Sequence, residues 1–179
     1  MDFTEKTLTQ SYQFEGRIMK ARVDTVELPN GRTATREVCE HVGGVGVLPI
    51  DSEGNVYLVR QYRYPYGMEM LEIPAGKIDH GPEGHLSCGV RELREETGFT
   101  ADHMTYLGEI FPSPGFLTEV LHLYCATGLH GGDCDPDEDE FVETVKMPAQ
   151  ELEQRIARGE IRDGKTIAAM YKARLLGLF

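Results

Sequence analysis

Three glutamates within five residues are the part of this sequence best suited to chemistry. Glu92, Glu95 and Glu96 follow a glycine-containing turn, and the pattern around them predicts a helix. At about 100° per residue, their side chains fall within roughly 100° of one another on the helix surface. Hard cations such as Mg²⁺ prefer oxygen ligands and often act on substrate phosphates. The spacing therefore favours a divalent metal site, with a solvated, salt-bridged helix as the alternative.

The same helix has an apolar side. Another face of the helical wheel carries Leu86, Val90, Leu93 and Thr97. We expect that stripe to pack inward while the glutamates are presented elsewhere. Glutamates four residues apart repel each other by about 0.2 to 0.5 kcal/mol on an isolated helix. Arg91, four residues before Glu95, can balance part of this charge.

Residues 76–99 resemble the Nudix signature, G-x5-E-x7-R-E-U-x-E-E-x-G-U, in which U is a bulky apolar residue. Glu83 is followed by seven residues and then by RELREETGF, which matches the second half of the signature in full. The first half departs at one point, because six residues, not five, separate Gly76 from Glu83. The extra residue falls in a His-Gly-Pro turn, where a loop can accommodate it.

Composition limits the classes of function. The 179 residues suit one domain with a sizeable core. The net charge of -12 argues against a nucleic-acid partner, because phosphate backbones are bound by clusters of Lys and Arg. No apolar run reaches the roughly 20 residues that span a bilayer, and the N-terminus lacks the features of a secretory signal, so we expect no membrane partner and a cytoplasmic protein. The four cysteines form no CxxC pair and are predicted to be free thiols.

The order of apolar runs and turns predicts a layered α/β or α+β domain with a mixed sheet. Strands are predicted over residues 14–28 and 33–40, around an Asn-Gly turn, and over 45–50, 56–62, 70–73, 105–111, 120–127 and 141–147. Two C-terminal helices are predicted, one opening at Pro148 and ending at Gly159, and one over residues 165–176. The resemblance implies the Nudix fold, a mixed β-sheet α/β/α sandwich with an N-terminal antiparallel strand extension. A single domain is expected over residues 1–179, with 1–42 as the strand region for dimerisation and 43–179 as the catalytic core.

Three flanking motifs are similar to the ADP-ribose pyrophosphatase branch of that family. They are RQYR at residues 60–63 followed by LEIPAGKID at 71–79, Pro114 fifteen residues after Phe99, and EDE at 138–140 ahead of FVE. This resemblance implies hydrolysis of the pyrophosphate bond of ADP-ribose, a nucleotide sugar, to AMP and ribose 5-phosphate. It also implies Mg²⁺ as the cofactor, with Mn²⁺ as the alternative.

The resemblance further implies the roles of individual residues. The metal ligands would be the Ala75 carbonyl group and the carboxylates of Glu92, Glu95, Glu96 and Glu140. Catalytic roles would fall to Glu95, to Arg91, which would hold the helix glutamates by hydrogen bonds, and to Glu138 or another acid of its loop, which would position or deprotonate the attacking water. Substrate contacts would come from Arg36, Arg63, Glu72, Pro114 and Glu119. Members of this branch form homodimers in which N-terminal strands cross to the partner, so some of these contacts would come from a second subunit.

Two alternatives stay open at this point. A pyrophosphatase for another nucleotide sugar, such as GDP-mannose, would share the metal site and differ in its base and sugar pockets. A non-catalytic nucleotide-binding module is the other alternative, although such a module has no need of three mutually repelling carboxylates.

Overall fold

The computed structural model describes residues 2–78, 84–132, 134 and 141–179. These residues form two compact units, which are described separately. The first unit contains the described residues within 1–43 and 111–120, and the second contains those within 44–110 and 121–179. The expectation of a single domain divided at residue 43 stays a prediction.

The first unit is built on an antiparallel sheet of β1 (Lys6–Glu15), β2 (Met19–Glu27) and β3 (Thr33–His41), in that order. The Asn-Gly turn between β2 and β3 is confirmed, since Gly31 has a φ of 79° and donates its N–H to the Leu28 carbonyl at 2.8 Å. The predicted continuous strand over residues 14–28 is wrong. The chain turns at Gly16, whose N–H donates to the Met19 carbonyl oxygen at 3.0 Å, and β1 precedes that turn. All ten residues of β1 are exposed, so no buried alternation marks the strand in the sequence.

The loop of residues 111–120 is held against β3 by backbone hydrogen bonds. The Cys39 N–H donates to the Phe116 carbonyl oxygen at 2.7 Å, and the Thr118 N–H donates to the Cys39 carbonyl oxygen at 2.9 Å. The Thr118 hydroxyl also accepts a hydrogen bond from the His41 N–H at 3.0 Å. These bonds fix the position of Glu119, one of the predicted substrate contacts, within the first unit.

The second unit contains the remaining described strands and helices. The strands are β4 (Gly44–Pro49), β5 (Asn55–Arg63), β6 (Met68–Glu72), β7 (Ala75–Lys77), β8 (Thr100–Ile110), β9 (Leu121–His130) and β10 (Glu143–Pro148). The helices are α1 (His85–Thr97), α2 (Ala149–Ala157) and α3 (Gly164–Leu175). The sequence predicts Pro148 as the first helical residue of α2, but in the structure Pro148 is the N-cap of that helix. All four cysteines are free thiols, as predicted from the sequence.

These strands form two sheets. The four-stranded sheet has the order β7-β4-β9-β8, in which β4 runs parallel to β9 and the other neighbours are antiparallel. The three-stranded sheet has the order β10-β5-β6 and is antiparallel. Although β4 and β5 are consecutive in the chain, they lie in different sheets, and an isolated bridge pairs Ile50 with Val56 between them.

Strand β4 is the centre of the second unit because every one of its residues is buried. Val45 and Val47 pack with Cys88 and Leu93 of α1 on one face of the sheet. Leu48 belongs to the core on the other face, together with Leu58 and Ile73 and with Leu152 of α2 and Met170 of α3. A strand covered on both faces reads as a continuous apolar run, which matches the sequence of β4. The predicted layered α/β fold with a mixed sheet is therefore confirmed.

No helix in the described ranges is long and apolar enough to cross a lipid bilayer.

The turn between β4 and β5 is held by a carboxylate. Asp51 accepts hydrogen bonds from the Asn55 N–H at 2.8 Å and from the Tyr57 hydroxyl at 3.1 Å, and it pairs with Lys146 of β10 at 2.9 Å. Burial by itself would raise the pKa of Asp51, but the hydrogen bonds and the charge of Lys146 outweigh it and hold the pKa well below the usual range. The folded state therefore stabilises the ionised form of this carboxylate.

We expect Asp51→Asn to lower the free energy of unfolding by about 1 to 3 kcal/mol at pH 7, the usual range for hydrogen bonds to a charged group. Because the pKa is lowered on folding, the stabilisation is present above the unfolded value of about 3.9 and is lost as the pH falls toward the folded value. Urea unfolding should thus show the gap between wild type and variant closing below about pH 4. Glu53→Gln, at a carboxylate that is 76% exposed, is the matched control and should change stability by about 0.5 kcal/mol or less. If the difference in unfolding free energy between wild type and Asp51→Asn does not change with pH, the ionised form of Asp51 does not have this stabilising role.

Candidate active site

Helix α1 buries two of its three glutamates and only half of the stripe expected from the sequence, namely Leu93 and Thr97. Leu86 and Val90 are 47% and 44% exposed, whereas Glu92 and Glu96 are only 7% and 3% exposed. The prediction that Leu86 and Val90 pack inward is therefore wrong, while Leu93 is buried as expected. A hydrophobic pattern fails here because the buried carboxylates have polar partners in the fold, which a helical wheel does not contain.

Glycine at position 89 lets α1 lie close to the central sheet. A Cβ atom at Gly89 would come within 3.2 Å of methyl carbons of Val45 and Val47. The helix therefore lies close to β4 at Gly89, and Glu92 and Glu96 follow on the same buried side.

Both buried carboxylates lie against β7. The Ala75 N–H donates a hydrogen bond to Glu96 Oε2 at 2.9 Å. A Cβ atom at Gly76 would overlap the carboxylate of Glu92, so only glycine leaves room for that group. The segment Ala75–Gly76 is thus the surface on which the two glutamates are gathered.

Arg91 lies between two of the glutamates. Its Nη1 atom is 2.8 Å from Glu92 Oε1 and 2.7 Å from Glu95 Oε2. The guanidinium also donates to Cys88 Sγ at 3.5 Å. This cation offsets the repulsion between carboxylates on neighbouring turns and orients them toward the same region.

The N-cap residue of α1, Gly84, has no side chain that could cap the helix. The start of the helix is held in place by the contacts of its first residue, His85. The ring of His85 stacks on that of His122 with centroids 4.1 Å apart, and His85 Nδ1 lies 2.6 Å from the Tyr124 hydroxyl oxygen. Burial, followed by the neighbouring His85, lowers the pKa of His122 and so favours the neutral imidazole. The glutamate-bearing helix is therefore anchored to β9 at its first residue.

The donors of this region fit a hard divalent cation in chemistry. Two carboxylates that are nearly buried, a third on the next turn and the carbonyl group of Ala75 supply oxygen ligands of the type that Mg²⁺ and Mn²⁺ bind. The fit is one of donor type and not of completed geometry, because among the described residues no three His, Cys, Asp or Glu side chains are grouped so that they could hold a metal ion. Glu83, Glu138 and Glu140, which the sequence analysis assigned to the signature or to the site, lie outside the described residues.

A second group of charges lies at the end of β6. Arg63 makes a two-pronged ion pair with Glu72, with Nε to Oε1 and Nη2 to Oε2 both at 2.7 Å. Lys165 of α3 also donates to Glu72 Oε2. Burial would raise the pKa of Glu72, which is 2% exposed, but these two cations outweigh burial and lower it. Glu72 is therefore an ionised carboxylate whose two oxygen atoms both have cationic partners.

The same electrostatics connect Arg63 with the glutamate helix. Its hydrogen bonds with Glu72 are the largest influence that raises the pKa of Arg63, and the charges of Asp163 and Glu96 add to it. The charge of Glu96, one of the α1 carboxylates that lie against β7, therefore contributes to the raised pKa of Arg63.

Sequence reasoning did not find Lys165 or its neighbours. Asp163 caps α3 by accepting a hydrogen bond from the Thr166 N–H at 3.0 Å, and Lys165 Nζ lies 2.9 Å from Asp163 Oδ1. The Asp-x-x-Thr spacing is a recognisable helix start. The sequence offers no signal that this helix start pairs with Glu72, because 93 residues separate Lys165 from it.

The other predicted substrate contacts belong to the first unit. Arg36 is 43% exposed and pairs with Glu5, with Nε to Oε2 at 2.9 Å. Glu119 Oε1 lies 3.3 Å from His41 Nδ1, and Pro114 is exposed in the turn before it. Their roles in binding stay predictions.

Comparison with known proteins assigns the chain to a family. Residues 40–170 match the family described as NUDIX domain, and residues 5–39 match the nucleoside diphosphate sugar hydrolase N-terminal domain. The chain is 42% identical over 170 residues to a methanol dehydrogenase activator of Bacillus methanolicus, covering 94% of this chain and 91% of that protein. It is 38% identical over 168 residues to an ADP-ribose pyrophosphatase of Bacillus subtilis (strain 168), covering 93% and 90%.

A solved structure agrees with the fold. The crystal structure of an ADP compounds hydrolase superposes with a TM-score of 0.85 at 20% sequence identity, covering 98% of this chain and 96% of that one. At this identity the likeness concerns the fold alone. Together with the signature carboxylates on α1 and the match over residues 40–170, it leads to one conclusion: this chain is a member of the Nudix hydrolase family.

Proposed function

We propose that this protein hydrolyses the pyrophosphate bond of ADP-ribose to AMP and ribose 5-phosphate. The observation that carries the proposal is the pair of nearly buried carboxylates, Glu92 and Glu96, gathered on Ala75–Gly76. The choice of ADP-ribose is supported by the ADP-ribose pyrophosphatase of Bacillus subtilis, which aligns with 93% of this chain. The catalytic core would be residues 43–179, with residues 1–42 as the dimerisation region; a cytoplasmic location stays a prediction.

Nudix hydrolases generally depend on a divalent metal ion, and we propose Mg²⁺, with Mn²⁺ as the alternative. The Ala75 carbonyl group and the carboxylates of Glu92, Glu95 and Glu96 would hold it, together with Glu140, which lies outside the described residues. When bound, such an ion neutralises charge on the pyrophosphate and lowers the pKa of a bound water.

The other residues of the chain would bind the substrate and manage the proton. Arg91 holds Glu92 and Glu95 in place through its two ion pairs. Arg63 offers a planar guanidinium that suits a phosphate oxygen, and Glu72 belongs to the same subsite through its pairing with Arg63. Arg36, Pro114 and Glu119 would complete the substrate contacts. Glu138, outside the described residues, is the proposed group that orients or deprotonates the water, which then attacks one phosphorus in line while the other phosphate leaves.

We also propose a homodimer that uses the first unit. Strand β1 is an edge strand whose ten residues are all exposed, and unpaired edges are templates for pairing with another chain. Large apolar side chains of this unit are exposed as well, namely Phe3, Leu8, Tyr12, Phe14 and Ile18. Several exposed apolar side chains within one short segment are consistent with a protein interface.

GDP-mannose is the alternative substrate, because the carboxylate site acts on the pyrophosphate and not on the base or sugar. The direct test is hydrolysis of ADP-ribose, GDP-mannose, ADP-glucose, diadenosine polyphosphates and 8-oxo-dGTP, each with Mg²⁺ and with chelator. We expect ADP-ribose to have the highest kcat/KM and chelator to abolish AMP release. A higher kcat/KM for GDP-mannose would support the alternative, and stabilisation by ADP-ribose without turnover would indicate a binding module.

Replacing Glu96 with Gln should abolish turnover without unfolding the protein. The amide oxygen of Gln can still accept the Ala75 N–H bond, but the charge that a divalent ion needs is lost. We expect kcat/KM to fall by about 100-fold or more at saturating Mg²⁺, since metal binding contributes several kcal/mol to the transition state. Glu151→Gln, at a side chain on α2 that is 41% exposed, is the matched control and should retain activity. Near-normal turnover of a folded Glu96→Gln protein would overturn the metal-site assignment.

The proposed dimer predicts a molar mass of twice that of the chain in size-exclusion chromatography with light scattering. Changing Leu8 and Phe14 to Glu should shift the protein to a monomer, because two buried charges without partners would destabilise the interface. Gln13→Glu, a polar position on the same strand, is the control and should leave the dimer intact. A wild-type protein that is monomeric at micromolar concentration would exclude this proposal.

A further inference from the structure

The start of α3 forms a closed network of charges with the end of β6. Glu72 contacts both Arg63 and Lys165, and Lys165 also pairs with Asp163 at 2.9 Å. The network holds two carboxylates and two cations, so its formal charges balance.

Burial differs sharply between the members of this network. The side chains of Glu72, Lys165 and Asp163 are 3%, 10% and 12% exposed, whereas that of Arg63 is 37% exposed. Arg63 is therefore the end of the network that an anion can reach. Its Nε and Nη2 atoms are used by Glu72, which leaves Nη1 and one further N–H for another acceptor.

The network also reaches the backbone that leads to the carboxylate site. The hydroxyl of Thr166, a fully buried residue, accepts a hydrogen bond from the Ile73 N–H at 2.9 Å. Two residues later, the Ala75 N–H donates to Glu96. The start of α3 thus holds the strand segment on which Glu92 and Glu96 are gathered.

We propose that Lys165 is a positioning residue for the substrate-binding guanidinium of Arg63. This inference rests on the proposed function. Without Lys165, one guanidinium would face two buried carboxylates, Glu72 and Asp163, and the local charge would become negative. Arg63 would then be drawn entirely to Glu72 and would attract a pyrophosphate oxygen more weakly. Lys165 neutralises Glu72 and so leaves Arg63 oriented by Glu72 but still attractive to an anion.

The first measurement is steady-state hydrolysis of ADP-ribose by Lys165→Met. We expect KM to rise by about 10- to 100-fold, the equivalent of one hydrogen bond to a charged group, with kcat within about 3-fold of wild type. Lys172→Met is the matched control on the same helix, because Lys172 donates to the carbonyl groups of Leu107 and Glu109 and not to Glu72. Lys165→Arg keeps the charge and should recover most of the wild-type KM.

A double-mutant cycle with Arg63→Met separates positioning from a general structural role. If Lys165 acts through Arg63, adding Lys165→Met to Arg63→Met should change KM by less than about 2-fold. If the increase in KM of the double variant instead equals the product of the increases in the two single variants, Lys165 acts independently of Arg63 and the inference is overturned. If Lys165→Met does not fold, Lys165→Gln takes its place in the same cycle, with thermal unfolding as the check on each variant.

The outcomes also distinguish this inference from the proposed function. No wild-type turnover of ADP-ribose would remove the proposed function and this inference with it. Normal wild-type turnover, together with an unchanged KM for a folded Lys165→Met protein, would overturn the inference alone.

Discussion

The structure depends on holding two carboxylates of one helix in a nearly buried position. Burying ionised groups is costly unless each finds a partner. Here Arg91 pairs with Glu92, the Ala75 N–H bonds to Glu96, and the missing side chain of Gly76 makes room for Glu92. Helix α1 and the short strand β7 meet at these two carboxylates, so their placement and the burial of the charges depend on each other.

The β6–β7 segment is fixed from two sides. Helix α1 holds it through the Ala75 N–H, and helix α3 holds it through Thr166 at Ile73 and through Lys165 at Glu72. In the contact with α3, the two carboxylates Glu72 and Asp163 are balanced by the two cations Arg63 and Lys165. The segment can therefore be rigid without leaving a buried charge unpaired. A reactive surface held in this way needs little reorganisation when an anionic substrate binds.

Much of the fold follows from local patterns. The Asn-Gly turn, the apolar run of β4, the glutamate helix and the two C-terminal helices are each encoded within a few residues, and their positions were predicted to within a few residues. Strand β1 was missed because its exposed residues carry no buried alternation, and the split at Gly16 depends on a backbone bond that no propensity describes.

The sequence by itself determined the family, the carboxylate helix and the type of chemistry, because those depend on residue identity at fixed spacing. Only the tertiary structure decided which face of α1 is buried and which cation neutralises Glu72. Glu92 and Glu96 are buried in place of Leu86 and Val90 because their partners lie on β7 and in the helix itself. Lys165 meets Glu72 across 93 residues because α3 packs into the same core as Ile73, the residue after Glu72, and a contact between such distant positions is set by packing and not by any local pattern.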